Sequence, residues 1–234
     1  MLRSAAEMFG YHVYASDGEI GQVCNFFFDD RLWVVRYLVV ETGSWLKSRR
    51  VLVSTTALGQ PDWSRWVFPV GLSREQIQNS PDIDADMPVS RQQELAMSFY
   101  YGWPSYWSLS GVPATAPVET AGDPTLRSMR EVRGYRIQAG DGEIGHVEDF
   151  ILDDQSWALR YIVVETRNWL PGKKVLVNPD WIGQVSWSAG EVAVNLQREA
   201  IASAPEYGPS PWVDRLYEIQ LYRHYGRPGY WEKD

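Results

Sequence analysis

Residues 10–42 read GYHVYASDGEIGQVCNFFFDDRLWVVRYLVVET, and residues 134–166 read GYRIQAGDGEIGHVEDFILDDQSWALRYIVVET. Gly10 recurs as Gly134, and the same offset of 124 residues carries on without insertion or deletion. Between Gly10–Trp107 and Gly134–Trp231, 42 of 98 positions are identical. An internal duplication accounts for this, and it sets the organisation of the chain. Within the stretch, Gly10 to Tyr14 predicts a first strand. Ser16-Asp17-Gly18 is a hairpin signal between β-type runs. Ile20 to Phe28 predicts a second strand, and Asp29-Asp30-Arg31 the next turn. The third strand, Trp33 to Thr42, is rich in Val, Tyr, Leu and Trp, as strands prefer. Its apolar residues occupy both parities, with Trp33, Val35, Tyr37 and Val39 on one side and Val34, Leu38 and Val40 on the other. A strand with one solvated face alternates cleanly, so this one should be covered on both sides. Arg36, among those apolar residues, is expected to pair with Asp29, Asp30 or Glu41.

Working outward, Val51-Leu52-Val53 predicts a fourth strand and Trp66 to Val70 a fifth. Ser73 and Gln76 form a capping box that starts a short helix. A second helix is expected from Ser90 to about Tyr100, with Leu95, Phe99 and Ala96 at helical spacing. Each copy ends in an aromatic tail, Tyr101 to Trp107 and Tyr225 to Trp231. These should lie across the outer face of the third strand or serve as a partner surface. Ser108 to Val132 contains Pro113, Pro117 and Pro124 without periodicity and reads as an extended connector. The expected organisation is therefore residues 1–107 as copy one, 108–132 as linker, and 133–234 as copy two.

Composition narrows the function classes. The 234 residues are 44% hydrophobic and 22% charged, with 12 Trp. Large rings close a core in a small β domain. A formal net charge of −8 argues against a phosphate-neutralising surface, so nucleic acid is a disfavoured partner. A single Cys, Cys24, excludes an intrachain disulfide framework and a cysteine-based zinc site. No run reaches the length needed to span a bilayer, and no signal-peptide pattern opens the chain. Cytoplasmic localisation follows as an expectation.

The pattern Asp17-Gly-Glu-Ile-Gly21, Phe26, Asp29-Asp30, Trp33 and Arg36-Tyr-Leu-Val-Val40 resembles the PRC-barrel domain, and Asp141 to Val164 resembles it equally. That family includes the cytoplasmic domain of the photosynthetic reaction-centre H subunit and the C-terminal domain of a ribosome-maturation factor. The resemblance implies a small, strongly bent β-barrel used for binding or assembly rather than catalysis. The expected fold is mainly β with short helices, as two tandem barrels in pseudo-two-fold arrangement. No counterpart of the H subunit's transmembrane helix or the maturation factor's N-terminal domain is read in these 234 residues, so neither function is expected to transfer directly.

Candidate chemistry is sparse. The DGEIG segments have the wrong spacing for a phosphate loop, and no helix follows them. Asp29-Asp30 and Asp153-Asp154 read as turn residues. His12, His146 and His224 face Arg136, Gln22 and Tyr100 in the other copy and show no zinc spacing. No serine sits in a nucleophile elbow. The loops carrying Trp45, Lys47, Arg49 and Arg50, and Trp169, Lys173 and Lys174, each place an aromatic beside cations. They are the candidate binding residues, for an anion, an acidic partner or a carboxylate-bearing ligand. The other reading is a solvated hairpin whose Trp packs on the barrel. The resulting expectation is a non-enzymatic interaction or assembly module with no catalytic residues, cofactor or metal. Its partner is a protein, with peripheral membrane association and self-association left open. The alternatives are a small-molecule protein with an anionic or quinone-like ligand held between the barrels, and, more weakly, an RNA- or ribosome-associated factor.

Overall fold

The computed structural model describes residues 1–47, 49–81, 89, 91–103, 126–166, 172–208 and 212–232. In chain order the strands and helices are β1 (Leu2–Ser4), β2 (His12–Ala15), β3 (Gly18–Asp29), β4 (Val34–Thr42), β5 (Arg50–Ser54), β6 (Val67–Pro69), α1 (Arg74–Gln78), α2 (Arg91–Tyr101), β7 (Leu126–Ser128), α3 (Met129–Val132), β8 (Arg136–Ala139), β9 (Gly142–Asp153), β10 (Leu159–Glu165), β11 (Lys174–Val177), β12 (Ile182–Ser186), β13 (Glu191–Val194), α4 (Arg198–Ala202), β14 (Trp212–Val213) and α5 (Arg215–Tyr225). They form two compact units. The first is Met8–Arg130; the second is Met1–Glu7 together with Glu131–Asp234. Of the stretch read as a linker, 108–125 lies outside the described residues, and 126–132 forms β7 and α3.

In the first unit the sheet order is β5-β4-β3-β2-β6, with β7 pairing on β3. In the second it is β11-β10-β9-β8-β13-β12, with β1 pairing on β9 and β14 on β1. The fold is thus mainly β with short helices, as expected, but neither sheet closes into a barrel. In the first unit β6 runs parallel to β2 and lies at the opposite edge from β5. Among the described residues, only isolated bridges, Leu58 to Val70 and Asp62 to Val67, continue the pairing beyond β6. Closure needs a continuous ladder between the edges, and these sheets remain open.

The long strands bend sharply. β3 and β4 shift register at Val23/Asn25 and again at Phe27/Phe28. At Gly21, a Cβ would stand 2.0 Å from the Glu41 carbonyl oxygen, and at Gly145 the same distance from that of Glu165. The last glycine of each DGEIG segment is therefore required by a close strand crossing, not only by the hairpin. The first Asp of the segment has its own task. Asp17 accepts the Arg74 backbone N–H and Asp141 that of Arg198, both at 2.8 Å, which ties each hairpin to the start of α1 or α4. The Ser73–Gln76 capping box is present as expected.

Both parities of β4 are buried. Tyr37, Val39, Leu52 and Phe27 are covered by Met97 of α2, by Val89 and by Leu126, with Tyr101 and Trp103 packed against them. The helical face differs from expectation: Phe99 is 93% exposed and Leu95 43%, while Glu94 (0%) and Met97 (2%) are buried. The helix turns toward the sheet the face that leads into the Tyr101–Trp103 stack (4.2 Å). In the second unit α5 plays the same part. Glu218, which corresponds to Glu94, accepts from Tyr161 (2.7 Å) and Tyr230 (3.0 Å) and pairs with Arg215 (3.0 Å). A buried carboxylate survives when its partners are polar and close. The Arg160 guanidinium sits 4.4 Å from the Tyr230 ring and 3.6 Å from Asp153. The second tail thus covers its own third strand; residues 104–107 of the first tail lie outside the described residues. The tryptophans placed at the start of the third strand instead occupy left-handed turn positions, Trp33 at φ 53° and Trp157 at φ 60°. Their amides close turns onto the Asp29 and Asp153 carbonyls, each at 2.8 Å.

One repeat element escaped the sequence reading. Leu2-Arg3-Ser4 recurs as Leu126-Arg127-Ser128, again offset by 124. β1, which precedes copy one, pairs with β9 of copy two, Leu2 opposite Asp153. β7, which precedes copy two, pairs with β3 of copy one, Leu126 opposite Asp29. Each long strand therefore carries the leader of the other copy. The anchors correspond: Arg3 binds Asp154 at 2.7 Å and Arg127 binds Asp30 at 2.9 Å. The second Asp of each Asp-Asp pair is thus an ion-pair partner. The first is the turn residue, with Asp29 accepting from the amides of Arg31 and Leu32.

Candidate functional site

The site begins with the bulge in β9. Val163 pairs with Asp149 and Val164 with Val147, so Glu148 is the extra residue. A bulge re-aims side chains, and here Glu148 and Asp149 are both partly accessible. They enter a cleft of about 410 Å³ within the second unit, whose lining includes Ser4, Glu7, Arg133, Lys174, Glu206 and Tyr207. β1 supplies its rim: Ser4 donates to Asp149 Oδ2 at 2.5 Å and the Ala6 N–H to Oδ1 at 3.0 Å.

Two kinds of carboxylate share the cleft. Burial pushes Asp149 above its ordinary value, against the stabilising bonds from Ser4 and the backbone. Glu7 is also raised, by burial first and then by the charge of Asp149. Burial acts on Glu148 in the same direction, but Lys174 (3.1 Å) and Arg133 (3.2 Å) outweigh it and hold that carboxyl below its ordinary value. The Tyr207 hydroxyl, among these acids, is pushed up to about 12 by burial and by Asp149 and Glu7. A cation entering beside Asp149 and Glu7 relieves the penalty on both. The adjoining cleft of about 420 Å³ is lined by Arg136, Glu143, His146 and Glu148. There His146 Nε2 lies 3.7 Å from Glu148 and 3.6 Å from Glu165.

The corresponding positions of the first unit are Phe9 for Arg133, Gln22 for His146, Cys24 for Glu148 and Asn25 for Asp149. Asn25 keeps the local bonding without the charge, donating to Ser128 at 2.7 Å and accepting from the Arg130 amide at 3.2 Å. Cys24 packs against the apolar cluster beneath α2.

The described residues expected from sequence are put to different uses within each unit. Trp45 donates its indole N–H to the Ile20 carbonyl at 2.6 Å and lies 4.9 Å from the Arg74 guanidinium, so it packs on its own sheet. Lys47 is exposed at a left-handed position. Arg49 donates to the Gln78, Ser80 and Pro81 carbonyls and Lys173 to that of Ala202, at the ends of α1 and α4. Arg50 sits opposite Glu41 in the ladder. Trp169 lies outside the described residues. Of the described members, Lys174 alone lines the cleft. Glu148 and Asp149 were legible only as differences between copies, at positions where copy one has the uncharged Cys24 and Asn25.

Residues 124–195 match the family model of the PRC-barrel domain. The matched stretch holds Arg133, His146, Glu148, Asp149 and Lys174, and lacks Ser4, Glu7, Glu206 and Tyr207. No curated protein matches the chain.

Proposed function

We propose that the chain is a non-enzymatic interaction module made of two PRC-barrel-like copies, the second of which receives a basic side chain of a protein partner in its acidic cleft. The observation that carries this is the pair of carboxyls raised by burial, Asp149 and Glu7, at the wall of an open cleft. Such strain persists where a counter-charge compensates it in use. The 42 of 98 identities support reading the first copy as a second domain of the same kind. Its Phe9, Cys24 and Asn25 fit a structural copy that has lost, or never had, the charged site. No helix among the described residues is long and apolar enough to cross a membrane.

A small-molecule reading is also favoured by one observation, the cleft volume, which falls in the usual ligand range of roughly 300–1,000 Å³. Its carboxylates select an amine or guanidinium over the anionic or quinone-like ligand expected from sequence. The net charge of −8 weighs against RNA.

The test is fluorescence anisotropy of labelled Lys- and Arg-containing peptides with the full chain. Binding should weaken with salt and fall at least about tenfold in Asp149→Asn, the loss of one buried charge contact. Equal binding by parent and variant sinks the proposal. A thermal shift with free arginine amide or polyamines, without peptide binding, would favour the small-molecule reading.

A further inference from the structure

We infer that His146, Glu148 and Glu165 form a divalent transition-metal site, suited to Zn²⁺, on the outer face of the second unit's sheet. The three come together by strand geometry. His146 and Glu148 are two residues apart on β9, and Glu165 faces His146 across the ladder on β10. Their ligand atoms lie within 4.8 Å of one another. The two shortest separations, 3.6 and 3.7 Å, come close to the edge of a tetrahedron around zinc. Donors about 2.0–2.1 Å from the metal stand roughly 3.4 Å apart. All three side chains are largely but not fully covered, at 16%, 21% and 18% exposure, so an ion is partly desolvated and still has a way in.

The surroundings also fit. Glu148 uses Oε1 for Lys174 and Arg133, which leaves Oε2 directed at His146. Outer contacts of this type orient a ligating carboxylate. One imidazole and two carboxylates suit Zn²⁺ better than Ca²⁺ or Mg²⁺, which favour all-oxygen sets. With three protein ligands, the fourth position opens into the cleft lined by Arg136 and Glu143. Lys174 and Arg133 offset the two carboxylates, so the site binds through geometry and donor type rather than net charge. The first copy has Gln22 and Cys24 where the second has His146 and Glu148, and the site belongs to the second copy alone.

The experiment is a Zn²⁺ titration of the full chain by calorimetry, repeated with Co²⁺ to read nitrogen–oxygen coordination from its visible absorption. One equivalent should bind. Affinity should drop at least about tenfold in His146→Gln and in Glu165→Gln, and stay unchanged in His12→Gln. His146→Gln installs the residue already tolerated at position 22, and circular dichroism verifies that it folds. The Co²⁺ band disappears in that variant if the site is real. No stoichiometric Zn²⁺ binding by the parent chain, or binding that survives both ligand variants, overturns the inference. No peptide partner enters this readout, and Asp149 is not a ligand, so its failure leaves the partner reading standing and the reverse also holds.

Discussion

Asp149 shows how one side chain sets stability against recognition. Its folded-state value is raised above the ordinary 3.8 because burial penalises the charged form. A raised acid contributes most to stability below its unfolded value, and that contribution is lost as pH rises through the folded value. At neutral pH the ionised carboxylate is therefore a cost. Asn25 shows that the neutral amide fits the same setting, with Ser128 accepting from it. Asp149→Asn should melt at a higher temperature than the parent at pH 7, and the gap should close as pH falls toward 4. Melting curves across that range check the sign; an unchanged or lower melting temperature at pH 7 contradicts it. The same variant is expected to bind basic peptides less well, the familiar exchange of activity for stability. From sequence, Asp149 was one acid among many. Its importance came from a bulge and from the Ser4 hydroxyl, which lies 145 residues away along the chain, and no local pattern encodes such a distance.

At the level of elements, the strands were legible because their signals are local. Val-rich runs, the Asp-Gly hairpins and the Ser73–Gln76 box all appear where they were expected. What failed had non-local causes. Leu95 and Phe99 have helical spacing, but so do Glu94, Met97 and Tyr101, and the sheet chose the second set. Leu-Arg-Ser is too short to stand out as a repeat until its two copies are seen in equivalent ladders. The candidate loops were read for their charge, while Arg49 and Lys173 are used up on helix-end carbonyls. The two short helices offer a controlled comparison. α1 has a full capping box, whereas α4 begins at Gln197 with no side-chain cap. Ser73→Ala should cost about 1 kcal/mol, and Gln197→Ser should gain about 0.5–1 kcal/mol by accepting from the Ala200 amide. Chemical denaturation of both variants measures this; a Gln197→Ser protein no more stable than the parent shows that Asp141, already bonded to the Arg198 amide, satisfies that end.

For the whole molecule, the exchanged leaders decide which part of the chain supports which. Residues 1–7 precede copy one in sequence but belong to the second unit. There Leu2 pairs with both Val213 and Asp153, Arg3 bonds Asp154, and Ser4 bonds Asp149. Removing them strips β9 of one neighbour, leaves Asp154 without its arginine and opens a wall of the cleft. Breaking a largely buried ion pair by deleting one partner alone costs about 3–5 kcal/mol, a large share of a small domain's stability. A chain lacking residues 1–7 should therefore lose hydrogen-exchange protection first in β9 and β14, more than a hundred residues from the cut. β3, whose neighbour is β7, should keep its protection in the same sample. A duplication without exchange predicts the opposite, with the damage confined to the copy next to the deletion. Exchange mass spectrometry on peptides spanning 18–29 and 142–153 separates the two, and protection lost only in the former would remove the reciprocal leader from the account of how this chain is held together.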